Sequence, residues 1–432
     1  MNKIEFYKET NFKQTPIGEF PFDWQVVKLK DICIQITDGT HKTPTYVDEG
    51  IPFISTQNIV PFRKGFDFSE YKKYISSEEH RELIKRCKPE KGDILISKCG
   101  TIGRTKLVDV DYEFSIFVGV ALLKLKKDLV SGEYLEQLLN YDPMRVRMEI
   151  SSPGSTRKTL TINAIENLHI PLPKLEEQYR IAEVLSVVDL AVQRTDMVIA
   201  KTERLKKGLM QTLLTRGIGH KEFKDTEIGK IPKTWRVATL GEIAKINKEQ
   251  IDPTKSMPDK TFIYIDIDSV ENETGKIRNP KKILGRNAPS RARRVVHEND
   301  VIMSTVRPYL KAFAIIPKEY DDQICSTGFA VLSCKKDIVI PYFLLIALFS
   351  ENVIKQCNQM MMGGQYPALN QSQVSRIKIP LPSCDEQEKI ASIFYALDEK
   401  LELERIEKKR LEMIKKGLMD LLLTGKVRVK VN

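Results

Sequence analysis

Apolar and polar positions change their rhythm twice along the chain, and the change happens the same way both times. Over roughly the first 160 residues the apolar positions come in short β-branched or aromatic runs. Examples are IPFIS (51–55), DILIS (93–97) and FSIFVGVALLKL (114–125), set apart by Gly, Pro, Asn and Asp clusters. Such runs predict the strands of a sheet-containing domain, with a helix around Gly132–Leu139. IPLP then ends the pattern, and a proline-free stretch at helical spacing runs from Glu177 to Leu214, 38 residues or roughly 57 Å of helix. Its apolar seam is Ile181, Leu185, Val188, Val192, Ile199, Leu205 and Leu209, with Thr195 and Thr202 interposed. After a second strand-rich stretch comes a second seam of Ile390, Phe394, Leu397, Leu401, Leu411, Ile414 and Leu418. Spacings of mostly three and four predict that the two helices pair as a coiled coil.

The two halves are one unit written twice. TPIGEFPFDWQVVKLKDI from position 15 matches TEIGKIPKTWRVATLGEI from position 226, an offset of 211 that superposes the only two tryptophans, Trp24 and Trp235. HIPLPKLEEQ (169–178) matches KIPLPSCDEQ (378–387), and KKGLMQTLLT (206–215) matches KKGLMDLLLT (415–424), both at an offset of 209. A period this long marks a duplicated domain rather than a solenoid. The predicted fold class is α+β: two similar sheet-containing domains separated by two long helices, paired antiparallel about an internal pseudo-twofold axis. The boundaries fall at 1–175 for the first domain, 176–216 for its helix, 217–383 for the second domain, and 384–432 for its helix and tail. Helices of this length are on the scale of a helical turn of DNA, so the pair is expected to act as a ruler.

Composition narrows the function. The 432 residues carry 69 Lys and Arg against 58 Asp and Glu, a formal charge of +11, which favours a polyanionic partner. The first strand-rich segment has a net charge near balance, while residues 226–383 are distinctly basic. Seven scattered cysteines without a CxxC, and five dispersed histidines, predict neither a disulfide framework nor a metal site. The N-terminal residues lack a secretory pattern, and the longest apolar run, Ile340–Phe349, is too short to span a bilayer; a soluble cytoplasmic protein is expected.

Base reading needs paired donors and acceptors on loops that enter a groove. The first candidate loop is ITDGTHKTPTY (36–46), with Thr40, His41, Lys42 and Thr43. The second is SKCGTIGRTK (97–106), with Ser97, Lys98 and Arg104, matched by STVRPYLK (304–311), with Ser304, Thr305, Arg307, Tyr309 and Lys311. The third is SSPGSTRKTL (151–160), with Ser155, Arg157 and Lys158, matched by MGGQYPALN, with Gln365 and Tyr366. A basic stretch from 278 to 294 adds Lys281, Lys282, Arg286, Arg291, Arg293 and Arg294, expected as a loop that tracks phosphates. Each alone also reads as an ordinary glycine turn or solvated loop; recurrence after strands in both units favours binding. The loops differ between copies, so the two domains should read different sequences. No phosphate loop, dinucleotide fingerprint, HExxH or GxSxG is present, and no catalytic residue is assigned.

Two variable domains, each closed by IPLP, an EEQ or DEQ helix start and a KKGLM…LLT helix end, resemble the specificity subunits of type I restriction-modification systems across essentially the whole chain. GTHKTP near the front also resembles the family's first-domain loop. The resemblance implies a non-catalytic subunit that recognises an asymmetric, two-part DNA target. It also implies two modification subunits that bind S-adenosylmethionine and methylate adenine, and restriction subunits that use ATP and magnesium. No cofactor is expected on this chain. A self-contained modification enzyme and a coiled-coil scaffold without DNA specificity remain as alternatives.

Overall fold

A computed structural model of the chain describes residues 5–152, 158–361 and 368–430. It forms two compact units, one of Met1–Val198 with Arg405–Asn432 and one of Ile199–Glu404. The boundary passes through both long helices, so each unit takes in half of each.

In the first unit the central sheet has the order Thr105–Leu107, Ile94–Ser97, Val120–Leu125, Cys33–Asp38, all antiparallel. Its two middle strands are apolar at nearly every position because both faces are covered. Ile94, Ile96, Ala121 and Leu123 face a core shared with helices, while Leu95, Val120 and Leu122 face a second core with Ile54 and Ile116 of the second sheet and the adjoining Phe114. That second sheet has the order Ser115–Ile116, Ile51–Ile54, Tyr74–Ile75, Tyr46–Val47. The run 114–125 is therefore two strands, not one. It turns at Phe117–Gly119, where a Cβ on Gly119 would sit 2.9 Å from Cys99 Sγ. The helix predicted at 132–139 is present as Gly132–Asn140.

The second unit repeats this plan. Ala244–Ile246, Phe329–Cys334, Val301–Ser304 and Phe313–Ile315 form its central sheet, with Val301 and Met303 on the helix side and Ile302 on the other. Its second sheet has the order Lys281–Leu284, Thr261–Ile265, Gln323–Ser326, Ala292–Val296. The basic stretch 278–294 is thus a loop only in part: Lys281–Leu284 is a strand and Ala292 begins the strand Ala292–Val296, because Ile283, Leu284 and Ala292, with the following Val295 and Val296, supply the apolar positions that a sheet can bury, while 285–291 is a short helical turn and loop.

The long helices are Leu175–Arg216 and Cys384–Leu422. In the first unit Ile181 and Leu185 of one share a core with Met419 and Leu422 of the other. Asp189 meets Lys415 at 2.5 Å and Asp196 meets Lys408 at 2.6 Å, so numbers rise on one helix as they fall on the other. In the second unit Leu213 packs in one core with Ile390 and Phe394, Lys206 pairs with Asp398, and Ile218 N–H donates to Glu386, again antiparallel. Each fully buried Leu or Ile here contributes about 1.5–3 kcal/mol.

The seam differs from expectation at one repeated place. Leu205 and Ile414 are exposed, at 52% and 47%, and the inward positions are the next residues, Lys206 and Lys415. Apolar spacing alone selects the leucine and isoleucine; the facing aspartates are what draw the lysines in.

Candidate nucleic-acid interface

The strand Cys33–Asp38 delivers the first loop. Gly39 is required after it, since a Cβ there would lie 2.0 Å from the Ile116 carbonyl oxygen. The Asp38 carboxylate, almost fully buried, accepts from Lys98 Nζ at 2.5 Å and Arg86 at 2.7 Å, and meets His41 Nε2 at 3.2 Å. Burial by itself would raise the Asp38 pKa, but the Lys98 ammonium and the His41 ring outweigh it and hold the carboxyl below its ordinary value. One carboxylate therefore ties the first loop, through His41, to the second, through Lys98.

Ser97 closes the second loop: its hydroxyl donates to the Thr101 carbonyl at 2.6 Å and accepts from Arg104 N–H at 2.9 Å. The third loop joins at its end, where Leu160 N–H donates to the Lys98 carbonyl at 2.9 Å. All three predicted loops of the first unit are thus brought together at one end of its central sheet. His41, Lys42, Thr43 and Lys158 are exposed, and Thr40 and Arg104 are half-buried. Ser97 and Lys98 are buried and hold the loops rather than face solvent. Ser155 and Arg157 lie outside the described residues.

The second unit gathers its loops through the same backbone positions. Thr305 N–H and Oγ1 both donate to the Gly328 carbonyl, and the Thr305 carbonyl accepts from Leu369 N–H at 2.8 Å, as that of Lys98 does from Leu160. Ser304, buried like Ser97, donates to the Val306 carbonyl. The hydrogen-bond register places Ala312, not Arg307, at the position of Arg104, because Ser97 N–H donates to Arg104 and Ser304 N–H to Ala312. Arg307 instead begins a short turn, Pro308–Leu310, flanked by left-handed residues Arg307 (φ 49°) and Lys311 (φ 56°). That turn leaves Tyr309 and Leu310 more than 40% exposed beside the exposed Arg307. Gln365 and Tyr366 lie outside the described residues.

The cations of the basic stretch and of the 304–311 loop differ in their partners. Lys281 pairs with Asp266, Arg286 with Asp259, Arg293 with Asp252 at 3.4 Å, and Lys311 with Glu351 at 3.0 Å. Lys282, Arg291 and Arg307 are exposed and form no ion pair among the described residues. Arg294 is half-buried, with Nε and Nη1 left without a partner, and burial lowers its pKa. His297, Asp321 and Asp322 come close enough to share an ion, but the carboxylates are exposed and the ring closes on Glu249 at 3.2 Å, an arrangement an ordinary surface ion-pair cluster satisfies.

Sequence reasoning missed Asp38 and the Asp189–Lys415 and Asp398–Lys206 pairs. The signal for the pairs was available: both residues recur at the offset of 209.

The model of the type I restriction modification DNA specificity domain matches the chain twice, at residues 21–201 and 232–413. The chain belongs to this family. A protein named as the MjaX specificity subunit of a type I restriction enzyme, from Methanocaldococcus jannaschii, is 32% identical with 99% of each chain covered. The MjaVIII specificity subunit of the same organism is 29% identical over 99% of this chain and 98% of its own. In fold, the chain resembles a type I S subunit from M. genitalium with a TM-score of 0.57, at 17% identity and covering 93% and 96% of the two chains. This specificity subunit carries two recognition domains, each with its own loop set, and its part is recognition rather than catalysis. Among the described residues no helix is long and apolar enough to cross a membrane.

Proposed function

We propose that this specificity subunit reads an asymmetric, two-part DNA sequence, one part per unit, and directs adenine methylation and restriction by partner subunits. The observation that carries the reading is the pair of loop clusters: the same sheet end and the same backbone hydrogen bonds present different side chains in each unit. In the first the exposed donors are His41, Lys42 and Lys158; in the second they are Arg307 and Tyr309. Imidazole, ammonium, phenol and guanidinium groups on loops can donate to base edges, while Lys282 and Arg291 suit phosphates.

Two modification subunits would bind S-adenosylmethionine and extrude the adenine, and restriction subunits would use ATP and magnesium in the cytoplasm; this chain would hold none of these cofactors. Docking of the modification subunits falls to the helices. Tyr179, Val187, Leu190 and Met197 recur at helical spacing, each 50% or more exposed, as do Leu403, Ile406 and Met413. The helices also set the gap between the two target parts.

Mapping methylated adenines in cells carrying the native chain or Arg307→Ala tests the proposal. The native chain should give one split motif, and the variant should relax it on one side by about 1–3 kcal/mol of discrimination. Equal relaxation on both sides, or a continuous motif, would refute it.

A further inference from the structure

We propose that Phe62 is a positioning residue that latches the first recognition domain to the helix pair, so that the complex accepts a single spacing between the two parts of its target. The inference rests on the two-part reading above and names a residue that enforces it.

Phe62 holds a left-handed backbone, φ 61°, which a bulky aromatic residue rarely adopts and which persists only where the surroundings over-determine it. Here they do. Phe62 N–H donates to Glu136 Oε1 at 3.1 Å, from the helix Gly132–Asn140. Its carbonyl accepts from Gln193 Nε2 at 2.5 Å, from the first long helix. Its ring lies 3.1 Å, centroid to Nζ, from Lys415 of the second long helix, the lysine that also binds Asp189. The neighbouring Arg63 carbonyl is fixed by Lys106 Nζ at 2.6 Å, from the central sheet. One residue of a surface loop thus touches both long helices, and Gln193 and Lys415 have no need to meet that loop to complete the helix pair.

The corresponding segment of the second unit is attached differently. Each segment follows a short turn of helix, Thr56–Asn58 in one unit and Ile267–Ser269 in the other. In the second, Lys276 and Arg278 reach Glu402 of the long helix as ion pairs, with side chains 30–49% exposed. Glu273, at the offset of 211 from Phe62, is left-handed as well (φ 64°), so the units differ in what grips the segment and not in its backbone: exposed ion pairs yield to salt and to bending, whereas a ring under a buried ammonium does not. The first domain is the rigidly held one.

The test uses the full complex with its partner subunits and duplexes carrying the mapped target at its own spacing, one base pair longer and one shorter. Phe62→Leu and Gln193→Leu should each cut the discrimination between spacings about tenfold while changing affinity for the native spacing by less than about threefold. Unchanged discrimination, or affinity falling equally at every spacing, would overturn the proposal, the second outcome marking a purely structural role. If Phe62→Leu does not fold, Gln193→Leu decides, since it removes one hydrogen bond from a half-buried helix position. A native complex indifferent to spacing overturns the latch together with the two-part reading, and places the fault in the latter.

Discussion

The starts of the two long helices are built alike and closed differently. In both, a tryptophan indole donates to the helix's glutamate: Trp24 to Glu177 at 3.2 Å, Trp235 to Glu386 at 2.8 Å. In both, the next residue is a buried glutamine that bridges backbone, Gln178 to Ser131, Leu129 and Pro173, Gln387 to Ile340, Ile338 and Pro382. The paired Glu-Gln of the repeat is therefore a structural device. The third partner differs. Glu177 meets Arg428, whose guanidinium also binds Asp23 twice, at 2.9 and 3.0 Å, and Glu9 at 2.8 Å. Glu386 meets His220 at 2.9 Å and the Ile218 N–H. Arg428 sits on Val427–Val429, which pairs with Phe6–Lys8, so the first closure joins the two ends of the chain. The comparison teaches that a buried carboxylate at a helix start must be answered, and that the duplicated sequence fixes the question but not the answer.

Removing the answer should hurt the first unit most. Arg428→Ala leaves Glu177, with a 3% exposed side chain, with the Trp24 indole but without its counter-charge, and should cost about 3–5 kcal/mol, read as a lower unfolding midpoint. His220→Ala, at a more open site that keeps the indole and backbone donors, should cost about 1–2 kcal/mol. Equal losses would dissolve the distinction. Acid sharpens it. Glu9 is held below its ordinary pKa by the Asn11 N–H and by Arg428, and Asp23 by Arg428 first of all. Lowered carboxylates stabilise above their unfolded-state pKa and lose that contribution as pH falls through the folded value, below about pH 4. Hydrogen exchange should therefore find the strand pair Phe6–Lys8 and Val427–Val429 opening first on acidification, and Arg428→Ala should weaken that pH dependence by removing the Asp23 share of it.

The aspartate–lysine pairs of the helix seam offer a smaller contrast. Asp189 and Lys415 are 10% and 13% exposed, Asp398 and Lys206 27% and 16%. Asp189 also accepts from Gln137 at 2.6 Å, and Asp398 from Tyr342 at 2.6 Å. Burial lowers the Lys415 pKa, so loss of its counter-charge is costly. Asp189→Asn should destabilise by about 3 kcal/mol and Asp398→Asn by about half of that. The double change Asp189→Leu with Lys415→Leu should recover part of the loss, since two apolar side chains need no partner of their own although Gln137 Nε2 loses its acceptor. A double variant as weak as the single one would mean the pair is more than mutual compensation.

How much of this the chain announces depends on whether a feature is local and repeated. The strands at 51–54 and 94–97, the helix at 132–140 and both long helices follow from period and punctuation, and the duplication locates their counterparts. The loops were legible because glycines mark them, and Gly39 shows the physical need behind one mark. What escaped is what depends on a partner distant in sequence. Lys206 and Lys415 look like solvated residues beside Leu205 and Ile414 until the aspartates opposite them are seen. Lys98 looks like a DNA-contacting lysine until Asp38, sixty residues earlier, is found beneath it. The stretch 278–294 reads as a loop because its basic residues dominate its composition, although Ile283, Leu284 and Ala292 give its two ends enough apolar character to join strands.

The finest test of the comparison transplants one closure into the other unit. His220→Arg would bring a guanidinium to Glu386, but Thr234 stands at the offset of 211 from Asp23, so no second carboxylate awaits it. The ring's edge contact with Trp235, 6.0 Å between centroids, would also be lost. The substitution alone should therefore destabilise the second unit by less than about 1 kcal/mol. Adding Thr234→Asp should reverse the sign, because the guanidinium then has carboxylates on two sides as Arg428 does. A urea midpoint that rises with His220→Arg alone would show that the single charge pair suffices, and that the extra carboxylates around Arg428 serve the joining of the chain ends rather than the helix start.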